Sequence, residues 1–203
     1  LEILYFLKKS DYMRMTRMKG SAGVYIPEFR AGFFFKDGGI NFPTMIHEMT
    51  HQYNHKLLQC VSHGWFEEGS AEYFGAGYLS KGGKQMKLGL PDVNRMTKFG
   101  NMAKGAAGEP EPEPLRTFHV REAELTGEFY AQSWALVHFL MEVHPRGRWV
   151  LFDYVAHLTG LAKQLEMDNA DGVCTLEHAL RLNGLTLSEF EKDFLAHYSG
   201  KKK

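Results

Sequence analysis

HEMTHQYNH, residues 47–55, is followed a few positions on by WFEEGSAEYF, residues 65–74. In a helix, residues four apart lie one above the other on the same face. His47 and His51 therefore offer two imidazole nitrogens to a single point, and Glu48 stands beside that point. Two histidines hold a divalent metal ion at this spacing, and the glutamate between them can reach a water on that ion. An amphipathic helix with solvated histidines is the plain alternative. A third ligand decides between them, because zinc in a catalytic site takes three protein ligands and leaves a fourth position open.

His55 lies one more turn along the same helix. The axial rise puts it about 12 Å from His47, too far for both to bind one ion at about 2 Å. It is expected to cap or pack at the surface. Asn54 and Leu57 hold the places where the longer metzincin pattern requires Gly and His, which excludes that pattern. Glu67 and Glu68 remain. They are adjacent and point about 100° apart, so only one can face the ion. Glu72, four residues after Glu68, shares its face. A carboxylate there can accept a proton from a ligand histidine and fix its tautomer, or simply sit at a half-exposed helix surface.

Working outward, the helix that carries the histidines is expected to open near Pro43 and run to about Gln59, with a second helix over EEGSAEYFGAGYL. Before them, LEILYF reads as a strand, KKSDYMRMTRM as a short helix capped by Ser10 or Asp11, GVYI and GFFF as strands, and KDGG as a turn. Beyond them lie a glycine-rich connection from Lys81 to Leu90 and a short helix over PDVNRMTKF with Pro91 at its start. GAAGEPEPEP, residues 105–114, reads as an extended surface loop. From Glu128 the chain is mostly helical, and FYAQSWALVHFLMEV is apolar on nearly every side, so that helix should be buried. RWVLFDYVAHL, TLEHALRL and LSEFEKDFLAHY follow as amphipathic helices. The fold class is therefore α+β in one domain: a small sheet plus the histidine helix over residues 1–60, then a mainly helical part over 61–203, with no internal repeat.

The chain has 203 residues, 44% of them hydrophobic and 13% aromatic, enough for a sizeable core. Its net charge is +0, from 24 basic and 24 acidic side chains, so neither nucleic acid nor an anionic membrane is expected as a partner. Lys201, Lys202 and Lys203 read as a solvated tail. No apolar run approaches the roughly 20 residues that span a bilayer. The chain starts at Leu1 and shows no secretory signal, so an exported protein whose targeting segment lies outside these residues is compatible with it. Compartment and oligomeric state are not legible. Cys60 and Cys174 are too few for a disulfide framework; two buried thiols and one bridge both fit the composition.

HEMTH followed by WFEEGSAEYF resembles the gluzincin peptidases, the clan of thermolysin and of the aminopeptidase N and leukotriene A4 hydrolase group. In that group the metal-binding glutamate lies in a Trp-x-x-Glu-Gly motif. Trp65, Glu68 and Gly69 fit that register, which implies Glu68 as the third ligand and Glu67 as a solvated neighbour. The aminopeptidases also carry a helix beginning Tyr-Glu-Lys-Gly, whose Tyr stabilises the oxyanion. FYAQSWALVHFLMEV is similar in position and implies that role for Tyr130. Taken without the resemblance, Tyr130 reads as a core tyrosine with its hydroxyl at the edge. Tyr53, Tyr73 and Tyr78 are nearer the motif in sequence. A closer likeness is to peptidase MA-like domains of unknown function of planctomycete-type bacteria. It rests on AGVY, His-Glu-x-x-His, Glu-Gly-x-Ala-Glu-Tyr-Phe and Tyr-Ala-Gln-Ser-Trp.

The resemblance implies a zincin-like fold and zinc-dependent hydrolysis of a peptide or protein substrate. His47, His51 and Glu68 would hold Zn²⁺, Glu48 would be the general base, Tyr130 the oxyanion donor, and Glu72 the support for a ligand histidine. One departure matters. The aminopeptidases carry a Gly-x-Met-Glu-Asn strand whose glutamate holds the substrate's amino terminus, and the matching stretch, Gly23 to Pro27, has no acid there. Endopeptidase activity is therefore expected over aminopeptidase activity. A zinc-binding domain without turnover, or a zinc hydrolase of a non-peptide substrate, are the alternatives. His63, His119, His138, His144, His157, His178 and His197 show no ligand spacing and are expected to be structural or exposed.

Overall fold

AGFFF, Ala31–Phe35, is apolar on both faces, which suits a central strand. In the structure, a computed structural model that describes residues 2–36, 41–58, 62–79, 85–124, 126–160 and 175–200, it is the middle of a three-stranded sheet. We label it β3. On one side β1, Glu2–Phe6, runs parallel to it, pairing Glu2 with Ala31 and Phe6 with Phe35. On the other side β2, Gly23–Ile26, runs antiparallel, pairing Gly23 with Phe34 and Ile26 with Ala31. A 3₁₀ turn over Pro27–Phe29 joins β2 to β3. Helix α1, Lys9–Thr16, lays the fully buried Tyr12 against Phe35 and Phe6 and so builds a small core of its own with Ala31 and Phe33. Neither Ser10 nor Asp11 caps α1. Lys8 is its N-cap and makes no side-chain bond, while Asp11 pairs with Arg14 inside the first turns.

Helix α2, Phe42–Leu58, carries the histidine motif beneath β2 and β3. It starts one residue before Pro43, and Asn41 Oδ1 accepts the Thr44 N–H, as an N-terminal cap does. Helix α3, Gly64–Gly75, packs on α2. It begins before Glu67, where the helix was expected. It also stops short of the expected end, because Gly75 and Gly77 fall within one turn, and Tyr78–Leu79 become β4, paired with β5, Met86–Lys87.

The larger core is helical. It gathers α3, α4 (Val93–Lys104), α5 (Leu115–Phe118), α6 (Gly127–His138), α7 (Gly147–Leu158), α8 (Leu176–Leu182) and α9 (Leu187–Ser199). Trp65, Trp134, Phe99, Phe190, Phe194 and Tyr154 fill its centre. Gly69 lets α3 and α6 touch: a Cβ there would lie 2.4 Å from the Ser133 carbonyl oxygen. The long apolar helix expected over 129–143 is not uniform. After His138 it widens into a π turn, Phe139–Val143, closed by His144 N–H to Phe139 O at 2.8 Å, and Arg148 Nε donates to the Met141 carbonyl. The Glu-Pro stretch is irregular, as expected, yet it is not merely solvated. Gln132 on α6 accepts the Glu113 N–H at 2.9 Å and donates to its carbonyl at 2.6 Å.

The architecture is thus α+β, a small N-terminal sheet over the histidine helix followed by a mainly helical part. No helix among the described residues is long and apolar enough to cross a membrane. Cys60, Cys174, Gln59, most of the turn expected at 36–39 and part of the connection after Lys81 lie outside the described residues.

Candidate metal centre

Two stripes of α2, offset by one residue, divide its work. His47, His51 and Asn54, spaced i, i+4 and i+7, face α3. Glu48, Gln52 and His55, with the same spacing, face the sheet. Gln52 is buried and donates to the carbonyls of Glu2 and Arg30, which ties the helix to the outer strand β1 and to the start of the central strand β3. His55 does not join the metal group. Its Nδ1 lies 2.5 Å from the Tyr25 hydroxyl on β2.

His47 Nε2 and His51 Nε2 are 3.1 Å apart, and each is 3.6 Å from Glu68 Oε2. Donors at about 2 Å from a tetrahedral ion stand about 3.3 Å from one another, so these three atoms form one face of such a coordination shell. Glu68 Oε2 is buried and makes no hydrogen bond. A buried carboxylate oxygen without a donor is costly, and a cation at this face would satisfy it. Among the described residues this is the group of His, Cys, Asp and Glu that could hold a metal ion. Burial works against charge on His47 and His51, but the facing carboxylates outweigh it and raise them to about 9 and about 10. Burial likewise opposes the Glu68 carboxylate, and the two imidazoles outweigh it, lowering Glu68 to about 2.

The other nitrogen of each imidazole has its own carboxylate. His47 Nδ1 lies 3.3 Å from Glu72 Oε1, and His51 Nδ1 lies 3.6 Å from Glu67 Oε2. Glu67 is therefore not a solvated neighbour, and that expectation is corrected. It points away from the face formed by the three donor atoms, as its 100° offset from Glu68 requires, but α2 covers that side. There it accepts hydrogen bonds from Ser62 and from Asn54 Nδ2. Carboxylates in this position fix the tautomer that leaves Nε2 free to ligate.

A cleft of about 470 Å³ opens on the His47 side, and Glu48, Glu72, Asp92, Arg95 and Tyr130 line it with the small residues at 21–23 and 75–77. Glu48 Oε2 accepts the backbone N–H of Tyr25 at 2.7 Å. Tyr130 lies in the first turns of α6, which Thr126 caps, and its ring centroid is 6.4 Å from that of His47. Burial, reinforced by the charges of Glu68, Glu72 and Glu48, pushes its pKa well above the usual tyrosine value, so the phenol keeps its proton. The other tyrosines go elsewhere. Tyr53 is exposed, the Tyr73 hydroxyl donates to Glu142, and Tyr78 belongs to β4. His119, His157 and His178 are buried and His197 is exposed, and none of the scattered histidines joins the metal group.

Arg95 and Asp92 have no counterpart in the sequence-derived site. The signal that existed was local: Asp92 caps α4 by accepting the Arg95 N–H at 2.9 Å, so the helix starts at Val93, two residues after the start expected at Pro91. The contact that matters, Arg95 Nε to Glu72 Oε2 at 2.6 Å, crosses between two helices and leaves no local pattern.

A family model described as a protein of unknown function (DUF1570) matches residues 41–159, more than half of the chain, and spans every residue from His47 to Tyr130 discussed above. The chain belongs to that family. No curated protein and no solved structure matches it.

Proposed function

We propose that this DUF1570 chain is a zinc-dependent hydrolase of peptide bonds of the gluzincin type, acting within chains rather than at a free amino terminus. One observation carries the proposal: His47 Nε2, His51 Nε2 and the otherwise unpartnered Glu68 Oε2 converge at 3.1–3.6 Å beside a cleft that also holds a carboxylate and a phenol. Zinc held by these three residues supplies a Lewis acid that polarises a carbonyl and lowers the pKa of a water towards about 7. Glu48 then serves as general base, taking a proton from the attacking water on its carboxylate and passing it to the leaving amine. Tyr130, still protonated, donates a hydrogen bond to the developing oxyanion. Glu72 and Glu67 hold the two imidazoles in the ligating tautomer. A site of purely structural metal has no need of a base and closes all four positions with protein ligands, and neither feature describes this set.

Metal analysis of the purified protein, combined with cleavage profiling of a peptide mixture with and without a chelator, tests the proposal. About one zinc per chain and cleavage that the chelator abolishes are expected. A chain that carries no divalent metal and takes up none when zinc is added would overturn it.

A further inference from the structure

Arg95 ties together two parts of the site, Glu72 on α3 and Tyr130 on α6. Asp92 caps the first turn of α4 by accepting the Arg95 N–H, which fixes the backbone from which the side chain departs. From α4 the guanidinium meets α3 and α6 at once. Its Nε donates to Glu72 Oε2 at 2.6 Å, and its Cζ lies 5.0 Å from the centroid of the Tyr130 ring. The second oxygen of Glu72 faces His47 Nδ1 at 3.3 Å. One side chain thus ends a relay, Arg95 to Glu72 to His47, and covers the face of the phenol.

The electrostatics give this contact a purpose. Glu48, Glu72 and Asp92 line the cleft, and Arg95 is the one permanent cation among the described residues that do so. Glu72 is largely buried, and a buried carboxylate beside others takes a proton or turns to solvent unless a cation holds it. The other imidazole is held differently. The carboxylate behind His51, Glu67, rests on the neutral donors Ser62 and Asn54 and does not line the cleft. A planar guanidinium suits the position, since it offers a directional Nε–H at its edge and a flat face to an aromatic ring.

We propose that Arg95 is a positioning residue of the metal centre: it locks Glu72 in the rotamer that orients His47 and holds the Tyr130 ring against the same cleft wall. The proposal rests on the metal-binding reading of His47, His51 and Glu68. Its test is a double-mutant cycle in metal affinity, measured by competition with a chromophoric chelator for zinc and cobalt(II) on the full chain. Arg95→Ala is expected to weaken binding about tenfold or more and to shift the visible bands of the cobalt form. In a Glu72→Gln background the same substitution should change affinity by less than about twofold, because the relay is already cut. Arg95→Lys keeps the charge without the directional edge and flat face, so it should also bind more weakly than wild type, and it serves if Arg95→Ala does not fold. Wild-type affinity in either variant, or an equal loss in both backgrounds, overturns the assignment. A wild-type chain that binds neither ion overturns the metal reading beneath it, which keeps the two failures apart.

Discussion

The backbone N–H of Tyr25, on the edge strand β2, donates to Glu48 Oε2 at 2.7 Å. The hydroxyl of the same residue meets His55 Nδ1 at 2.5 Å, two turns further along α2. One residue therefore fastens the strand to the helix through both its main chain and its side chain, and the main-chain contact is to a carboxylate that lines the cleft. The carboxylate proposed as the base is oriented by main chain, which side-chain substitution at position 25 does not remove.

Glu48→Gln should abolish turnover and leave metal content unchanged. Glutamine keeps the shape and can still accept the Tyr25 N–H, but it does not take a proton from water. Metal content and peptide cleavage measured on the same preparation check this. Loss of the metal would mean that Glu48 is a ligand; full activity would mean that it is not the base.

Tyr130→Phe should lower kcat by about 10²–10³-fold with little change in metal content, the usual cost of one oxyanion donor. The ring stays against Arg95, so packing is preserved while the donor is lost. Steady-state kinetics decide it: a variant with wild-type kcat removes Tyr130 from the chemistry.

Blocking the amino terminus of a cleaved peptide should not prevent its cleavage. β2 carries no acid to pair a buried ammonium, and an unpaired ammonium in a closed site is expensive. Glu67 is spoken for by Ser62, Asn54 and His51. If acetylation does stop cleavage, an acid outside β2 anchors the amine, and Asp92, which lines the cleft, is the one to substitute first.

The chelator-treated protein should melt at lower temperature at pH 10 than at pH 6. His47 and His51 are raised from 6.5 to about 9 and about 10 by carboxylates that outweigh their burial, so the stability they contribute is complete below pH 6.5 and lost as pH rises through those values. Glu68 is lowered from 4.5 to about 2, so its contribution is present above pH 4.5 and lost as pH falls through 2. Metal binding needs neutral imidazoles, so the increase in Tm on adding zinc should grow from pH 6 towards pH 9. Thermal melts with and without chelator test both signs, and a flat chelated curve between pH 6 and 10 counts against the three-group network.

Gly69→Ala should destabilise the fold by about 1–3 kcal/mol, the range for overpacking a close contact. In an exposed helix the same change gains up to about 1 kcal/mol of helix propensity. Here the added Cβ meets the Ser133 carbonyl at 2.4 Å, and a backbone oxygen has nowhere to move, so the clash wins. Urea unfolding gives the sign directly.

The sequence by itself determined what depends on helical periodicity. Four-residue spacing put His47 and His51 on one face, and the 100° step between neighbours allowed only one of Glu67 and Glu68 to face them. The order of strand-forming and amphipathic runs gave a small sheet and then helices. Only the tertiary structure decided what depends on how helices lean on one another. That Glu67 supports His51, that Arg95 holds Glu72 across 23 residues, and that Tyr130 rather than Tyr53 or Tyr73 lines the cleft all follow from α3 packing on both α2 and α6 and α4 packing on α6. A contact between side chains far apart in the chain depends on interhelical distances of a few ångströms. Those distances are set by packing details such as the missing side chain at Gly69, whose consequence appears only when Ser133 is brought against it.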